Sequence, residues 1–331
     1  MVQLLRTRDS QYGGGEPAFA GKPVIGKEER RPEAEVVHSQ PSTSSGPVGT
    51  AVASLASVVS SADAAGPSGA SGLPGASGPP GDSDPYGYRA GLEGLLEIDC
   101  DRLIRNDRVM FGSCMVASGD ADAMVTGNTR RYSASLDKIK RVIPPRPGEI
   151  MFALSMIVNK GKTIFMADTH VHEYPNAQQL SDIAISCARV VRLFGFDPKI
   201  AFLSHSTFGI PMTQRTKHIR DAVEILKNKS VDFKFDGEMQ PDVALDEEYK
   251  ELYPFSKIVG NANVLIMPGQ HSAAVSLKMM KTLGGAKIIG PFLVGLGQPI
   301  EIAPLRSSTG DILNLASVAA YSAEVIDYNK N

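Results

Sequence analysis

The pattern of apolar and polar positions changes at about Tyr86, and beyond it short apolar runs alternate with stretches of helical periodicity. Two runs, IMFALSMIV from Ile150 and KTIFMA from Lys162, are separated by only three residues, Asn159 to Gly161, which predicts a β-hairpin. Further strands are predicted at IAFL, VDFKF, VLIM and KIIG. Because helical stretches separate most of these strands, the pattern predicts a largely parallel sheet with helices on both faces.

One predicted helix has both of its ends marked in the sequence. Asn176 and Gln179 have the spacing of a capping box, and Gly195 stands where the periodic pattern stops. Between them apolar side chains recur at helical spacing, at Leu180, Ile183, Ala184, Cys187, Val190 and Val191. Further helices are predicted from about Thr213 to Leu226, from Ser276 to Leu283 and from Asp311 onward.

The first quarter of the chain lacks such patterns. Residues 41–85 are almost entirely Ser, Gly, Ala and Pro, and residues 1–40 are polar without periodicity. Such segments do not bury enough apolar surface to offset the entropy of ordering, so residues 1–85 are predicted to be a disordered, low-complexity segment. A mitochondrial transit peptide is the alternative for the beginning of the chain, and its Glu residues disfavour it.

Charge and cysteine content exclude several classes of protein. The chain has 34 basic and 36 acidic side chains and a formal net charge of -2, which disfavours binding to nucleic acid or to an anionic membrane. Its 3 cysteines are far apart and fit neither a disulfide framework nor a zinc cage. No apolar run reaches the length of a membrane span. We therefore expect a soluble protein of the cytoplasm.

Polar residues at predicted strand ends are candidates for ligand binding. The segment SHSTFG, from Ser204 to Gly209, follows the strand IAFL and includes Ser206 and Thr207. Hydroxyls and backbone amides at such a position can hold a phosphate or a carbonyl oxygen. The alternative is ordinary turn chemistry, because Ser and Gly end strands in many proteins.

A second group of polar residues, Asp168, His170 and His172, follows the strand KTIFMA. Alternate residues of an extended chain share a face, so the two imidazoles could face one metal ion. No third ligand is evident in the sequence, and a closed site needs three or four. We predict no metal site.

A third candidate is GDADAMVTG followed by Asn128, Thr129, Arg130 and Arg131. A strand that leads directly into paired arginines suits an anionic ligand. Solvated surface charge is the alternative.

These motifs occur in an order that resembles a known family. The segments MVASGDADAMVTG, TRRYSASLDKIKRVIPPRPG, ADTHVHEYPNAQQLSDIAI, AFLSHSTFG, VDFKFDGEMQPDVAL, GNANVLIMP, IIGPFLVGL and GDILNLASVAAYSAE are similar to those of the phosphate acetyl/butyryl transferase family. The resemblance runs from about Asp99 to Glu324. Within that family the sequence most resembles the domain at the C-terminal end of bacterial NADP-dependent malic enzymes.

The resemblance implies a reaction and two of its residues. The family moves an acetyl group between phosphate and the thiol of coenzyme A, and a thiol with a pKa of about 8.5 needs a base at neutral pH. Active members have a Leu-Ser-Arg-Gly motif, an Asp seven residues after its Ser, and arginines from earlier in the chain. By this resemblance Asp311 takes the place of the carboxylate and Arg131 that of one arginine.

The sequence departs from the family pattern in two places. Pro304 stands where active members have Ser, and Leu305 where they have Arg, although Arg306 is next to them. Neither side chain can hydrogen-bond an oxyanion or pair with a phosphate. The Pro-Asp-Leu segment of the family is also altered, to Pro268, Gly269, Gln270 and His271. The departures predict a non-catalytic, acetyl-CoA-binding regulatory module.

The expected ligand is acetyl-CoA or CoA, with acyl phosphate as the further small-molecule candidate and no covalently bound cofactor. The predicted ligand-binding residues are Thr129, Arg131, Ser204, Ser206, Thr207, Gly209 and Asp311. Two other functions stay open: an active phosphate acyltransferase, and a module that serves oligomerisation only. A homo-oligomer is expected.

The resemblance also implies a division of the fold. Family members build their first domain from both ends of the chain, and most of its front is missing here. We predict a three-layer αβα fold with a largely parallel sheet in two subdomains: a remnant first domain of residues 86–147 and 294–331, and a second domain of residues 148–293. The chain would then be a fragment, a fusion or a gene-model artefact, with a malic-enzyme catalytic domain as the partner of a fragment.

Overall fold

The computed structural model describes residues 2–5 and 97–328, which form two β-sheets with helices on both faces of each. The strands are β1 (Val2–Leu5), β2 (Ala123–Gly127), β3 (Phe152–Asn159), β4 (Lys162–Ala167), β5 (Lys199–Leu203), β6 (Lys234–Met239), β7 (Val264–Ile266), β8 (Lys287–Val294) and β9 (Ile300–Ala303). The helices are α1 (Glu97–Asn106), α2 (Arg108–Ala117), α3 (Tyr132–Lys140), α4 (Ala177–Leu193), α5 (Gln214–Lys227), α6 (Pro241–Leu245), α7 (Glu247–Lys250), α8 (Gln270–Thr282) and α9 (Thr309–Tyr328).

The larger sheet has six strands in the order β6-β5-β7-β4-β3-β8. Strands β6, β5, β7 and β4 pair in parallel, whereas β3 is antiparallel to both β4 and β8. All strands except β3 therefore run in one direction. Their carboxyl ends lie along one edge of the sheet, where ligands bind in folds of this kind.

Each face of the six-stranded sheet carries its own apolar core. On one face α4 and α5 pack on residues such as Phe165 and Phe202. On the other face α6 and α8 pack on residues such as Met166 and Leu265. Neighbouring residues of one strand thus alternate between the two cores, as the period of a strand requires. This is the three-layer αβα arrangement that the sequence predicts.

The smaller sheet has three strands in the order β1-β2-β9, with β2 antiparallel to β1 and parallel to β9. Helices α2 and α3 cover one face, where Met124 is fully buried. Helix α9 covers the other face through side chains such as Leu315. The boundaries of the two predicted domains remain a proposal.

Several local predictions are confirmed. Strands β3 and β4 form the predicted hairpin, and its turn residues Lys160 and Gly161 have φ values of 47° and 76°, as a two-residue type I′ turn needs. Helix α4 begins with the capping box of Asn176 and Gln179. In the described part of the chain, no helix has the length and apolar character needed to cross a membrane.

Other elements differ from the prediction. Helix α8 starts six residues earlier than Ser276, because its polar first turn carries no apolar signal. Strand β6 starts three residues after Val231 and extends into polar residues that the fold buries. Val2–Leu5 lies within the segment predicted to be disordered, yet it forms β1, because the run VQLL pairs along β2. The rest of that prediction, residues 1 and 6–85, lies outside the described residues.

Candidate functional site

Two loops that carry predicted site residues begin side by side, at the ends of parallel strands. Gly127 ends β2 and Ala303 ends β9, and the two residues are partners in the strand register. The backbone N–H of Asn128 donates to the carbonyl oxygen of Ala303 at 2.9 Å. A Cβ atom on Gly127, whose φ is +105°, would lie 2.2 Å from that same oxygen. Only glycine permits this approach, which places the beginnings of segments 128–131 and 304–311 next to each other.

Arg131 is exposed and stands immediately before α3. Its backbone is extended, and its own side chain makes no capping hydrogen bond to the helix. Of the ion pairs between described residues, none includes Arg131, whereas the neighbouring Arg130 donates to Asp107 at 2.7 Å. Thr129 is also exposed. An exposed guanidinium beside uncapped N–H groups of a helix favours an anionic ligand group.

Asp311 lies in the first turn of α9, where it forms a capping box with Ser308. The backbone N–H and the hydroxyl of Ser308 donate to Asp311 Oδ2 at 2.9 and 2.8 Å. The backbone N–H of Asp311 donates back to Ser308 Oγ at 3.2 Å. The carboxylate therefore stabilises the start of the helix through one oxygen, which leaves Oδ1 for any contact with a ligand.

The residues between β9 and α9 offer no side-chain donor at the two altered positions. The carbonyl oxygen of Pro304 accepts from the hydroxyl of Ser307 at 2.8 Å. The side chain of Leu305 is 53% exposed. Arg306 is exposed and adopts a left-handed backbone conformation, with a φ of 63°. A guanidinium is thus present in this loop, one position after Leu305.

The Ser204–Gly209 segment follows β5 and faces inward. Ser206 is fully buried, and its hydroxyl donates to Glu238 Oε1 at 2.8 Å. The backbone N–H of Gly209 donates to the same oxygen at 3.0 Å, and Arg220 Nη1 does so at 3.1 Å. Ser204 Oγ is 3.2 Å from Ser206 Oγ. This segment therefore surrounds a buried carboxylate.

Thr207 is part of the same internal network. Its Oγ1 atom accepts from the backbone N–H of Gln240 at 3.2 Å, and its own side chain is buried. The sequence analysis did not identify Glu238 or Arg220 as partners of this segment. The run FDGEMQPD from Phe235 to Asp242 is polar, but a pattern of this kind does not reveal which distant residue it faces.

Asp168 organises the loop after β4. Its Oδ1 atom accepts from the backbone N–H groups of Ala153, His170 and Val171 at 3.0, 3.0 and 3.1 Å. Its Oδ2 atom accepts from the backbone N–H of His172 at 2.7 Å and lies 2.7 Å from the Nδ1 atom of the same residue. Within residues 2–5 and 97–328, no group of three or more His, Cys, Asp or Glu residues could hold a metal ion.

The structure brings the loop after β4 against the start of α3. The ring centroids of Tyr132 and His170 are 4.6 Å apart. Tyr132 follows Arg131 directly, so the carboxyl ends of β2 and β4, from two different sheets, meet at this pair. Tyr132 is not among the predicted site residues, because local spacing in a sequence does not encode the packing partner of an aromatic side chain.

Burial changes the titration of this region. It lowers the pKa of His170, against the opposing effect of the Asp168 charge. Burial and the charges of Glu301 and Asp168 raise the pKa of Tyr132 well above its ordinary value. The pKa of Glu301 is itself well above its usual range because the side chain is buried, although it accepts from the backbone N–H of Leu293 at 2.9 Å. Tyr132 is therefore protonated and His170 neutral at pH 7.

Comparisons with known proteins identify the family of the chain. A family model described as phosphate acetyl/butaryl transferase matches residues 84–320. The NADP-dependent malic enzyme of Rhizobium meliloti (strain 1021) is 46% identical over 235 residues, which are 71% of this chain and 31% of that protein. The chain thus spans about a third of the length of the malic enzymes that it matches.

Matches to proteins of about the same length as this chain indicate the same family. The phosphate acetyltransferase of Thermoanaerobacterium thermosaccharolyticum is 32% identical over 227 residues, covering 66% of this chain and 69% of that protein. The crystal structure of a phosphotransacetylase from Streptococcus pyogenes superposes with a TM-score of 0.64 at 31% identity, over 69% of this chain and 70% of that one. The chain belongs to the phosphate acetyl/butyryl transferase family.

Proposed function

We propose that residues 97–328 bind an acyl-CoA, with acetyl-CoA as the preferred candidate, and do not catalyse acyl transfer. The observation that carries the proposal is the loop after β9. It retains the carboxylate of Asp311 but has Pro304 and Leu305 at the positions where the family resemblance expects a hydroxyl and a guanidinium. The site keeps groups for binding and lacks two groups for the reaction.

The chemistry of the reaction explains why these two losses matter. Attack of a thiolate on acetyl phosphate builds negative charge on the carbonyl oxygen and on the departing phosphate. Each hydrogen-bond donor aimed at such charge typically contributes about 3 kcal/mol to the stabilisation of the transition state. Proline and leucine side chains donate no hydrogen bond. Binding of the ground-state ligand does not depend on these contacts to the same degree.

Arg131 supports the binding half of the proposal. Coenzyme A carries several phosphate charges, and a guanidinium can pair with a phosphate through two parallel hydrogen bonds. Arg131 and Thr129 are exposed, next to the uncapped start of α3 and beside the loop that carries Asp311. These groups would hold the phosphates at the edge of the two sheets. The ligand-binding roles of Ser204, Ser206, Thr207 and Gly209 stay a prediction.

The relatives suggest the setting in which such a domain works. Several of them are malic enzymes that are much longer than this chain. The domain would serve as a regulatory module of a malic enzyme, in the cytoplasm and as a homo-oligomer. Its partner would be a malic-enzyme catalytic domain, whose activity acyl-CoA binding would modulate.

The test has two measurements on the full chain. Calorimetric titration with acetyl-CoA should give a saturable heat, and Arg131→Ala should weaken it. Thioester formation from acetyl phosphate and CoA should not exceed that of the Asp311→Asn variant. Absence of binding at millimolar acetyl-CoA would contradict the proposal.

An active phosphate acyltransferase is the second candidate, and Arg306 is the observation that favours it. Its exposed guanidinium lies one position from where the family arginine is expected. Activity above the Asp311→Asn control, lost in Arg306→Ala, would establish this alternative.

If the chain neither binds acyl-CoA nor reacts, but forms one defined oligomer by light scattering, an oligomerisation module is the remaining function. The exposed Leu313 and Tyr321 on α9 are then the surface to alter.

A further inference from the structure

The hydroxyl of Tyr132 is a buried donor without an acceptor. The residue is only 9% exposed, and its hydroxyl oxygen has no hydrogen-bond partner among the described residues. Buried polar groups in folded proteins are nearly always paired with protein, water or ligand, so this hydroxyl is available to a group that the described residues do not supply. Its position is informative, because Tyr132 is the first residue of α3 and follows Arg131.

The imidazole of His170 packs against the same ring and offers an acceptor. Thr169 Oγ1 has a single hydrogen, which it donates to the carbonyl oxygen of Ala153 at 3.1 Å. In that arrangement of the hydroxyl, the histidine is the donor at the 3.1 Å contact between His170 Nδ1 and Thr169 Oγ1. The proton is on Nδ1, and Nε2 has a free lone pair. No partner for Nε2 occurs in the part of the chain that the structure describes.

The surrounding charges disfavour an anion at this pair. The carboxylate of Asp168 raises the pKa of both Tyr132 and His170. The cation that faces His170 is Lys278 of α8. A neutral ligand group that accepts from Tyr132 and donates to His170 fits better than a phosphate. A secondary amide has one such acceptor and one such donor.

We infer that Tyr132 and His170 form a subsite for a secondary amide of the pantetheine arm of coenzyme A, next to the phosphate position at Arg131. The inference rests on the proposed function. The arm connects the phosphates of coenzyme A to its sulfur and carries two secondary amides, so an amide subsite adjacent to a phosphate subsite matches the order of groups in the ligand. Because the hydroxyl is buried in the free protein, the inference requires the ring to turn toward the ligand on binding, which would give the hydroxyl the hydrogen bond that it lacks.

The decisive variant is Tyr132→Phe, because it should change stability and affinity in opposite directions. Removal of an unpaired buried hydroxyl should raise the melting temperature of the free chain by about 2–4 °C. Loss of the ligand contact should raise the Kd for acetyl-CoA by about fivefold to tenfold. The matched control is Tyr321→Phe, which removes a hydroxyl from a half-exposed tyrosine of α9 and should change neither value.

A ligand with the phosphates of coenzyme A but without its pantetheine arm distinguishes the amide subsite from binding of the phosphates. Adenosine 3′,5′-bisphosphate carries phosphates but no pantetheine arm, so Tyr132→Phe should leave its Kd unchanged while Arg131→Ala raises it. His170→Phe keeps an aromatic ring against Tyr132 but removes the acceptor, so it should weaken acetyl-CoA and spare the bisphosphate.

The outcomes distinguish failure of the amide subsite from failure of the proposed acyl-CoA binding. If the wild-type chain binds acetyl-CoA and Tyr132→Phe binds it equally well, the subsite is wrong while the proposed function stands. A lowered melting temperature in Tyr132→Phe with unchanged affinity would assign the hydroxyl a structural role and overturn the inference. If the wild-type chain does not bind acetyl-CoA at all, the proposed function fails and the subsite fails with it.

Discussion

The hydroxyl of Ser308 donates to the carboxylate of Asp311 at 2.8 Å, and this pair closes the first turn of α9. The carboxylate that the family resemblance places in the reaction is thus also a capping residue. Its presence is explained by the helix alone. Asp311 does not by itself argue that catalysis survives, which is why the altered positions 304 and 305 decide the proposal.

Ser308→Ala should lower the free energy of unfolding by about 1 kcal/mol, the usual cost of losing an N-cap side chain. The substitution removes both the donor to Asp311 Oδ2 and the acceptor for the Asp311 N–H. Chemical denaturation of the full chain measures the change. Ser317→Ala, on the exposed side of the same helix, is the control and should have little effect. Equal stability of Ser308→Ala and wild type would show that the capping box contributes nothing.

Ser206→Ala should destabilise the chain by about 1–2 kcal/mol, because a buried carboxylate loses one of its donors. The hydroxyl of Ser206 donates to Glu238 Oε1, and Glu238 is fully buried. Ser181→Ala is the contrasting variant: its hydroxyl is buried without a partner among the described residues, so its removal should not destabilise the chain. A variant with native stability but weaker acetyl-CoA binding would instead support the ligand-binding role predicted from the sequence.

Local signals in the sequence predicted the elements of the fold well. The β3–β4 hairpin and the start of α4 depend on residues within three positions of each other, as at Asn176 and Gln179. Patterns of this kind determine the local backbone structure, because the residues that interact are close in sequence. The alternation of strands and helices was also sufficient to predict a largely parallel sheet between two helical layers.

The contacts that define the site could not be predicted in this way. Ser206 and Glu238 are 32 positions apart and meet only because β5 and β6 pair in parallel. Tyr132 begins the helix that follows β2, and His170 lies in the loop after β4, so the two residues follow strands of different sheets. Buried polar residues at strand ends have the same composition as exposed turns, so their partners are visible only after the strands are placed.

The acid stability of the chain should depend on Asp107. Burial alone would raise the pKa of this carboxyl, but hydrogen bonds from Lys138, Arg130 and the start of α2 outweigh it and lower the pKa to about 2. Because the folded value lies below the unfolded value of about 3.9, the contribution is complete above the unfolded pKa and is lost as the pH falls toward 2.

Asp107→Asn isolates this effect, since asparagine is also a good N-cap residue but cannot form the ion pairs. The variant should be less stable than wild type at pH 7, and the difference should shrink between about pH 4 and pH 2. Urea unfolding at a series of pH values gives the two curves. A stability difference that stays constant across this range would show that the ion pairs are not responsible.

Restoring the altered loop should not restore full activity. The double variant Pro304→Ser and Leu305→Arg reintroduces a hydroxyl and a guanidinium, and each oxyanion or phosphate contact is typically worth about 3 kcal/mol. The second departure from the family pattern remains at Gly269 and His271. A Cβ atom on Gly269 would lie 2.5 Å from the carbonyl oxygen of Glu173, so the loop after β4 leaves no room for a side chain there.

The start of α8 is held in this arrangement by Gln270, whose backbone N–H donates to the carbonyl oxygen of His172 at 3.2 Å. Groups misplaced by about 1 Å can lose a hundredfold in rate, so the double variant should stay at or below about one hundredth of the activity of an active family member. Thioester formation from acetyl phosphate and CoA measures this, with the triple variant that adds Asp311→Asn as the background. Activity near that of an active member would mean that the altered segment at the start of α8 is harmless and that Pro304 and Leu305 alone silence the reaction.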